Sequence, residues 1–298
     1  MISKNVTEDT LTSQNDSLAY ENNTLTQQTT KKHLGIFLLL CLPVAWLLMG
    51  ISYMMDSNDK ATAFSIALLS LGCSVPAIAG VLTCVITKEK LFQLNFFPKL
   101  QGSGGIYFFA IIGGVALSLT PTLLTTMFFP GIQSFQEDAT TLTIIFAILL
   151  YTAIGIMQSF VLLGEEIGWM GYLFPKLETL YGTGISIIFT AVIRTLWHLV
   201  MLMQMEDFLF NLLSLFLSNL VLGSLLILLT KASGSVVPAA ITHALTNTVP
   251  MALNGFLVTD EVLYQANHME IYFVTLIPEV ILGVVCYFIL VRKRGTLN

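Results

Sequence analysis

The sequence predicts an all-α, polytopic membrane protein with about eight transmembrane helices behind a polar N-terminal tail. Composition is the first reason. Of 298 residues, 55% are hydrophobic and only 10% are charged, whereas a soluble domain carries about 25% charged residues. Mean hydropathy is +0.81. The second reason is length: apolar runs of about 20 residues recur, enough to cross a hydrocarbon core of about 30 Å. The third is charge: Lys and Arg gather on alternate loops, as in a chain that crosses a bilayer repeatedly.

Residues 1–32 are polar and rich in Ser, Thr, Asn and Gln. They lack the charged-then-apolar order of a signal peptide, and their composition predicts a disordered tail. The sequons at Asn5, Asn15 and Asn22 matter only if that tail is lumenal. A single transmembrane domain is expected over 33–294, with a core at 141–255. Its spans fall roughly at 34–55, 62–87, 105–129, 141–164, 183–204, 208–230, 236–255 and 270–291. The fourth run continues as a partly amphipathic helix through Gly164 to Leu177, stopping near Pro175. The seventh starts near Pro238, a good first-turn residue.

Lys31, Lys32, Lys88, Lys90, Lys99, Lys176, Lys231, Arg292, Lys293 and Arg294 fall on one set of loops. The other set holds Asp56, Asp59, Glu137, Asp138, Glu206, Asp207, Asp260, Glu261 and Glu270, with Lys60 as its cation. The bias of Lys and Arg predicts a multi-pass protein of the cell membrane with both termini cytoplasmic. The lipid bilayer is then its first partner, and no nucleic-acid partner is expected. Cys41, Cys73, Cys84 and Cys286 lie in apolar runs without metal-type spacing and read as small core residues.

Few ionisable groups remain at membrane depth: Glu165, Glu166, Arg194, His198, His243 and Glu279. Such groups are costly in a bilayer and mark functional sites facing a protein interior or a wet cavity. Arg194 and His198 are i,i+4 and share a helix face, as do His243 and Asn247. Glu165 and Glu166 are adjacent and point about 100° apart, so their roles should differ. Two imidazoles, a carboxylate and an amide from three helices can hold a water or a metal. A carboxylate can act as general base on that water, and a donor can stabilise the oxyanion of a peptide-bond adduct.

EEIGWMGYLFP at 165–175, RTLWHL at 194–199 and SVVPAAITHALTN at 235–247 resemble the three ordered motifs of the CPBP family, EExxxR, FxxxH and HxxxN. These are the intramembrane CAAX-prenyl-protease-like and bacteriocin-processing proteins, also called Abi proteins. The resemblance covers about 110 residues and implies a CAAX-protease-like helical bundle acting as an intramembrane endopeptidase. It implies that Glu165 activates water, that His198 is a second catalytic or metal-binding group, and that His243 and Asn247 complete the site. Glu165, His198 and His243 would meet the ligand count of a catalytic zinc site with one open position.

Two positions depart from the family pattern. Met170 stands at the Arg of EExxxR, and Arg194 stands at the Phe of FxxxH. The paired exchange suggests that Arg194 supplies the missing cation to Glu166, with both acting as supporting residues. A peptide or membrane-protein segment is the expected substrate, a prenylated tail or a bacteriocin leader among them. Lys176 and Lys231, flanking the motif helices, suggest a cavity open to the cytoplasm. A non-catalytic scaffold or immunity protein is the other reading. A small-solute transporter is a third, although repeated halves are not evident. HExxH and GxGD motifs are absent, which narrows the enzyme reading to glutamate–histidine chemistry.

Overall fold

The structure, a computed structural model, describes residues 3–56 and 63–292. Asp59, Lys60, Lys293 and Arg294 of the charge pattern lie outside the described residues. Helix α1 runs Ser3–Asp56, α2 Ala63–Thr87, α3 Gly104–Phe128 and α4 Thr141–Glu166. A π-helical segment, Ile167–Leu173, joins α4 to α5, Phe174–Trp197. The short α6, Leu199–Leu202, precedes α7, Phe208–Ser233, and α8, Val237–Thr248. The chain closes with α9, Glu261–Ala266, and α10, His268–Arg292.

Among the described residues, six helical runs are long and apolar enough to cross a membrane: Thr24–Met55, Ala63–Thr87, Gly104–Phe128, Thr141–Trp197, Phe208–Ser233 and His268–Ile289. The expected fourth and fifth spans lie in the run Thr141–Trp197 as two helical stretches that meet at Gly182, just before the expected start of the fifth. Gly182, at φ 77° and ψ 168°, bends that run inside α5, in a conformation that glycine adopts without steric cost. Pro175 does not stop the preceding helix; it occupies the first turn of α5, where its missing N–H leaves no intrahelical bond unmade.

The expected seventh span is shorter than the reading had it. Helix α8 has 12 residues, about 18 Å at 1.5 Å per residue, too little to span alone. Pro250 then interrupts the α ladder, and two 3-10 turns, Val249–Ala252 and Asn254–Phe256, carry the chain onward. Helix α1 also differs from the reading, reaching back to Ser3 through the tail expected to be disordered. No Gly or Pro stands between Ser3 and Lys32, so nothing local stops helix growth from the apolar run.

The outer surface is that of a lipid-facing bundle. Leu39, Phe108, Phe146 and Phe160 are 71%, 67%, 67% and 77% exposed, an arrangement that water would penalise and acyl chains accept. The largest core cluster draws on α1, α2, the π segment, α5 and α7. Phe37 stacks on Tyr172 at 5.0 Å, and Trp169 meets Trp197 edge-on at 5.8 Å. All four cysteines are free thiols.

The two ends of the bundle differ. At one end Glu89 accepts from Lys176 and from the Tyr172 hydroxyl at 3.1 Å, with His33 Nδ1 3.3 Å away. His33 is thus partly buried beside Glu89. Lys231 pairs with Glu178 at 2.5 Å at the same end, and Gly234 caps α7 in the left-handed conformation. At the other end, strands Gln133–Phe135 and Leu257–Thr259 (β1 and β2) pair antiparallel, with Ser134 opposite Val258. Asp207 Oδ2 lies 3.9 Å from His268 Nε2 there.

Candidate active site

The glutamate pair sits at the last turn of α4, just before the π segment. Small residues let this stretch approach α2 closely. A Cβ on Gly164 would press on Ser74, one on Gly168 would overlap Pro76, and one on Gly171 would overlap the Leu94 carbonyl. Ser74 and Pro76 lie at the middle of α2, so the glutamates stand near mid-height of the bundle, in keeping with the membrane depth expected of them. A π turn is a rare helix geometry that recurs at functional sites.

Helix α8 is fixed in rotation by two hydrogen bonds. Thr242 donates to the Ala110 carbonyl of α3 at 3.1 Å, and Thr248 donates to Gln158 Oε1 of α4 at 2.7 Å. Leu245 packs where Gly114 and Gly155 leave room. This phase turns His243 toward the glutamates. His243 Nδ1 is 2.7 Å from Glu166 Oε1, and Arg194 Nη2 is 3.4 Å from the same oxygen. Glu166, Arg194 and His243 are 0%, 1% and 7% exposed. An ionised carboxylate only accepts, so His243 donates through Nδ1 and its Nε2 keeps a lone pair.

His198 is held by a different device. It occupies the junction between α5 and α6 at φ −79° and ψ 3°. Its Nδ1 lies 2.8 Å from the Arg194 carbonyl oxygen. A carbonyl also only accepts, which again leaves Nε2 free as acceptor or ligand. Trp197 meets the His198 ring edge-on at 4.5 Å.

Glu165 and Glu166 therefore divide as their 100° separation suggests. Glu166 binds His243 and Arg194. Glu165 lines a cavity of about 330 Å³ together with Arg194, His198, His243 and Asn247. The cavity brings together all four residues expected to be catalytic, and it adds Glu279 of α10. It also includes Ser118, Ser218 and Asn219, which sequence reasoning passed over. Asn219, donating to Thr195 Oγ1 at 3.1 Å, is an amide in the middle of an apolar span, a signal that was available. Arg194 answers the missing Arg of the first motif: its guanidinium reaches Glu166 from α5. Met170 is buried in the apolar core.

Among the described residues, the buried ligand atoms within 4.8 Å of one another belong to Glu165, Glu166 and His243, a group that includes two of the three expected ligands together with Glu166. Glu165 Oε2 and Glu166 Oε2 are buried without a hydrogen-bond partner. Two carboxylates and an imidazole with two orphaned oxygens suit one divalent cation with an open position.

Lys176 and Lys231, expected to flank a cytoplasmic opening, do not line the cavity. Its linings on α3 and α7 lie in the halves nearest the β1–β2 end, or at mid-helix: Leu117, Ser118 and Pro121 on α3, Leu215 to Leu222 on α7.

Residues 140–249, from the N-cap of α4 to the residue after α8, match the family model described as type II CAAX prenyl endopeptidase Rce1-like. This segment is similar to an Rce1-like domain. The matched stretch contains Glu165, Glu166, Arg194, His198, His243 and Asn247. At family level the match supports an intramembrane protease, in agreement with the resemblance carried by the three motifs. No curated protein matches the chain.

Proposed function

We propose that the protein is an intramembrane endopeptidase in which Glu165 is the general base. The observation that carries this reading is the division of labour between the glutamates. Glu166 is committed to His243 and Arg194, which leaves Glu165 as the carboxylate facing the cavity.

The water donates one hydrogen to a free imidazole Nε2, of His198 or His243, and the other to Glu165. Glu165 takes that second proton as the oxygen bonds to the scissile carbonyl carbon and the carbonyl electron pair moves onto oxygen. When the adduct collapses, the C–N bond breaks and the proton on Glu165 passes to the leaving amine. Because His243 spends its Nδ1 hydrogen on Glu166, its neutral ring has no donor left for the oxyanion. The amide of Asn247 fills that role, with Arg194 supplying positive potential from behind Glu166. A divalent cation such as zinc, held by Glu165, Glu166 and His243, would add Lewis-acid polarisation of the carbonyl.

The substrate is a peptide or a membrane-protein segment. The family description extends this to a prenylated CAAX-type tail, and the resemblance extends it to a bacteriocin leader. The test is cleavage of a mixed peptide and membrane-protein set by the purified protein in lipid, with chelator and zinc in separate arms. Cleavage that falls with chelator and returns with zinc supports the metal. Cleavage indifferent to both assigns the chemistry to Glu165 alone. No cleavage of any member by a folded sample counts against the endopeptidase reading.

A further inference from the structure

Besides an apolar cavity of about 440 Å³ between α5, α7 and α10, which shares Val221 with the candidate active site, three cavities follow one another along α7. The middle one is the candidate active site. A larger vestibule of about 630 Å³ lies at the β1–β2 end, and a pocket of about 240 Å³ lies at the Lys-rich end. Their relation to the site is unequal. Pro121 of α3 lines both the vestibule and the active-site cavity. The Lys-rich pocket shares no lining residue with that cavity, and its inner wall is Met170 and Ile227, both members of the tightly packed core. Trp169, Leu173 and Trp197, each at most 1% exposed, add to the same core.

The distances agree. Asn211 of the vestibule and Lys231 of the opposite pocket are on one helix, 20 residues apart by their numbers, or about 30 Å at 1.5 Å per residue. The active-site linings of α7 begin at Leu215, one turn from Asn211. A polar group at the vestibule rim is therefore one helical turn from the hydrolytic cavity. A group at the Lys-rich end is separated from it by apolar core.

We propose that substrate polypeptide reaches the active-site cavity from the Lys-poor, β1–β2 end of the bundle, through the vestibule and past Pro121. The lining fits an extended chain. Gln133, Asn211, Asn254 and Gln265 offer side-chain amides that can both donate to and accept from a peptide backbone. Glu206 and Asp207 set a negative potential that favours cationic side chains on the segment outside the scissile bond. With the Lys-rich end cytoplasmic, this is the non-cytoplasmic face, the reverse of the access that the flanking lysines suggest. The inference rests on the proposed function only for what happens in the cavity, since access can be read without turnover.

The experiment is sided thiol labelling in oriented membrane vesicles. Cys41, Cys73, Cys84 and Cys286 are replaced, and single reporters are introduced as Ser218→Cys in the cavity, Gln265→Cys in the vestibule and Lys231→Cys at the Lys-rich end. A membrane-impermeant maleimide is added to one face at a time. Ser218→Cys should label from the face that labels Gln265→Cys and at least tenfold more slowly from the face that labels Lys231→Cys. Pro121→Trp should slow Ser218→Cys labelling at least tenfold without changing that of Gln265→Cys. Thr246→Cys is a second cavity reporter on a different helix, should either variant fold poorly. Labelling from the Lys231 face, from both faces equally or from neither would overturn the proposal. Loss of cleavage with this labelling pattern intact would count against the endopeptidase reading and leave the access route standing.

Discussion

At the scale of the residue, the account turns on charges that bury one another. Glu166 and Arg194 are almost wholly excluded from solvent and lie 3.4 Å apart. Removing one partner of such a pair strands the other, at a cost of about 3–5 kcal/mol, whereas replacing both is often tolerated. Glu166→Gln and Arg194→Met should therefore each destabilise strongly, and the double variant should lose clearly less than the sum. A double-mutant cycle on thermal unfolding in detergent measures the coupling, and strict additivity would remove Arg194 as the partner of Glu166. The sequence showed this pairing as an exchange, one Arg lost at Met170 and one gained at Arg194. It could not show that His243 would share the same carboxylate oxygen, because rotation of α8 is set by Thr242 and Thr248 contacting distant helices.

At the scale of the element, the site depends on close approach between α2 and the π segment. Atoms added at Gly168 or Gly171 would meet backbone atoms of Pro76 and Leu94, which cannot swing aside as a flexible side chain can. Gly168→Ala and Gly171→Ala should each lower thermal stability by about 1–3 kcal/mol, the usual cost of overpacking. They should also reduce cleavage, by displacing the glutamates at the end of α4. Gly223, with open space around it, is the control, and Gly223→Ala should be near neutral or mildly stabilising. Apolar run length was enough to find most spans in the sequence. It failed at α8, where Pro250 interrupts the α ladder soon after Thr248. It divided the fourth span from the fifth where Gly182 leaves the helical conformation.

At the scale of the whole molecule, the Lys-rich end is held together by an ion cluster that α1, the α2–α3 loop and α5 share. Burial opposes ionisation of Glu89. Lys176, by hydrogen bond and charge, outweighs it together with Tyr172 and His33, so the carboxyl is held below its ordinary range. A depressed folded-state pKa means that this stabilisation is complete above the unfolded value of about 4.3 and fades as pH falls through the folded value. Glu89→Gln should lower the melting temperature at pH 7, and the gap to wild type should narrow as pH drops below about 4. A gap constant across that window would mean that the cluster adds no pH-dependent stability. The same end illustrates what the sequence could and could not tell. Loop lysines grouped the loops correctly by end, since Lys176 and Lys231 lie with Glu89 and Glu178. The opening proposed from the vestibule lies at the other end from the one they suggested, because access depends on which half of each helix lines the cavity.

The most direct test of the central claim compares Glu165→Gln with Glu166→Gln in lipid, scoring cleavage and thermal unfolding together. The account predicts that Glu165→Gln keeps the wild-type melting temperature within a few degrees and loses cleavage by about 10²–10⁴-fold, the usual contribution of a general base. It predicts that Glu166→Gln lowers stability sharply and loses cleavage along with the fold. Wild-type cleavage by a folded Glu165→Gln protein would contradict the account and move the search for the base to another residue lining the cavity.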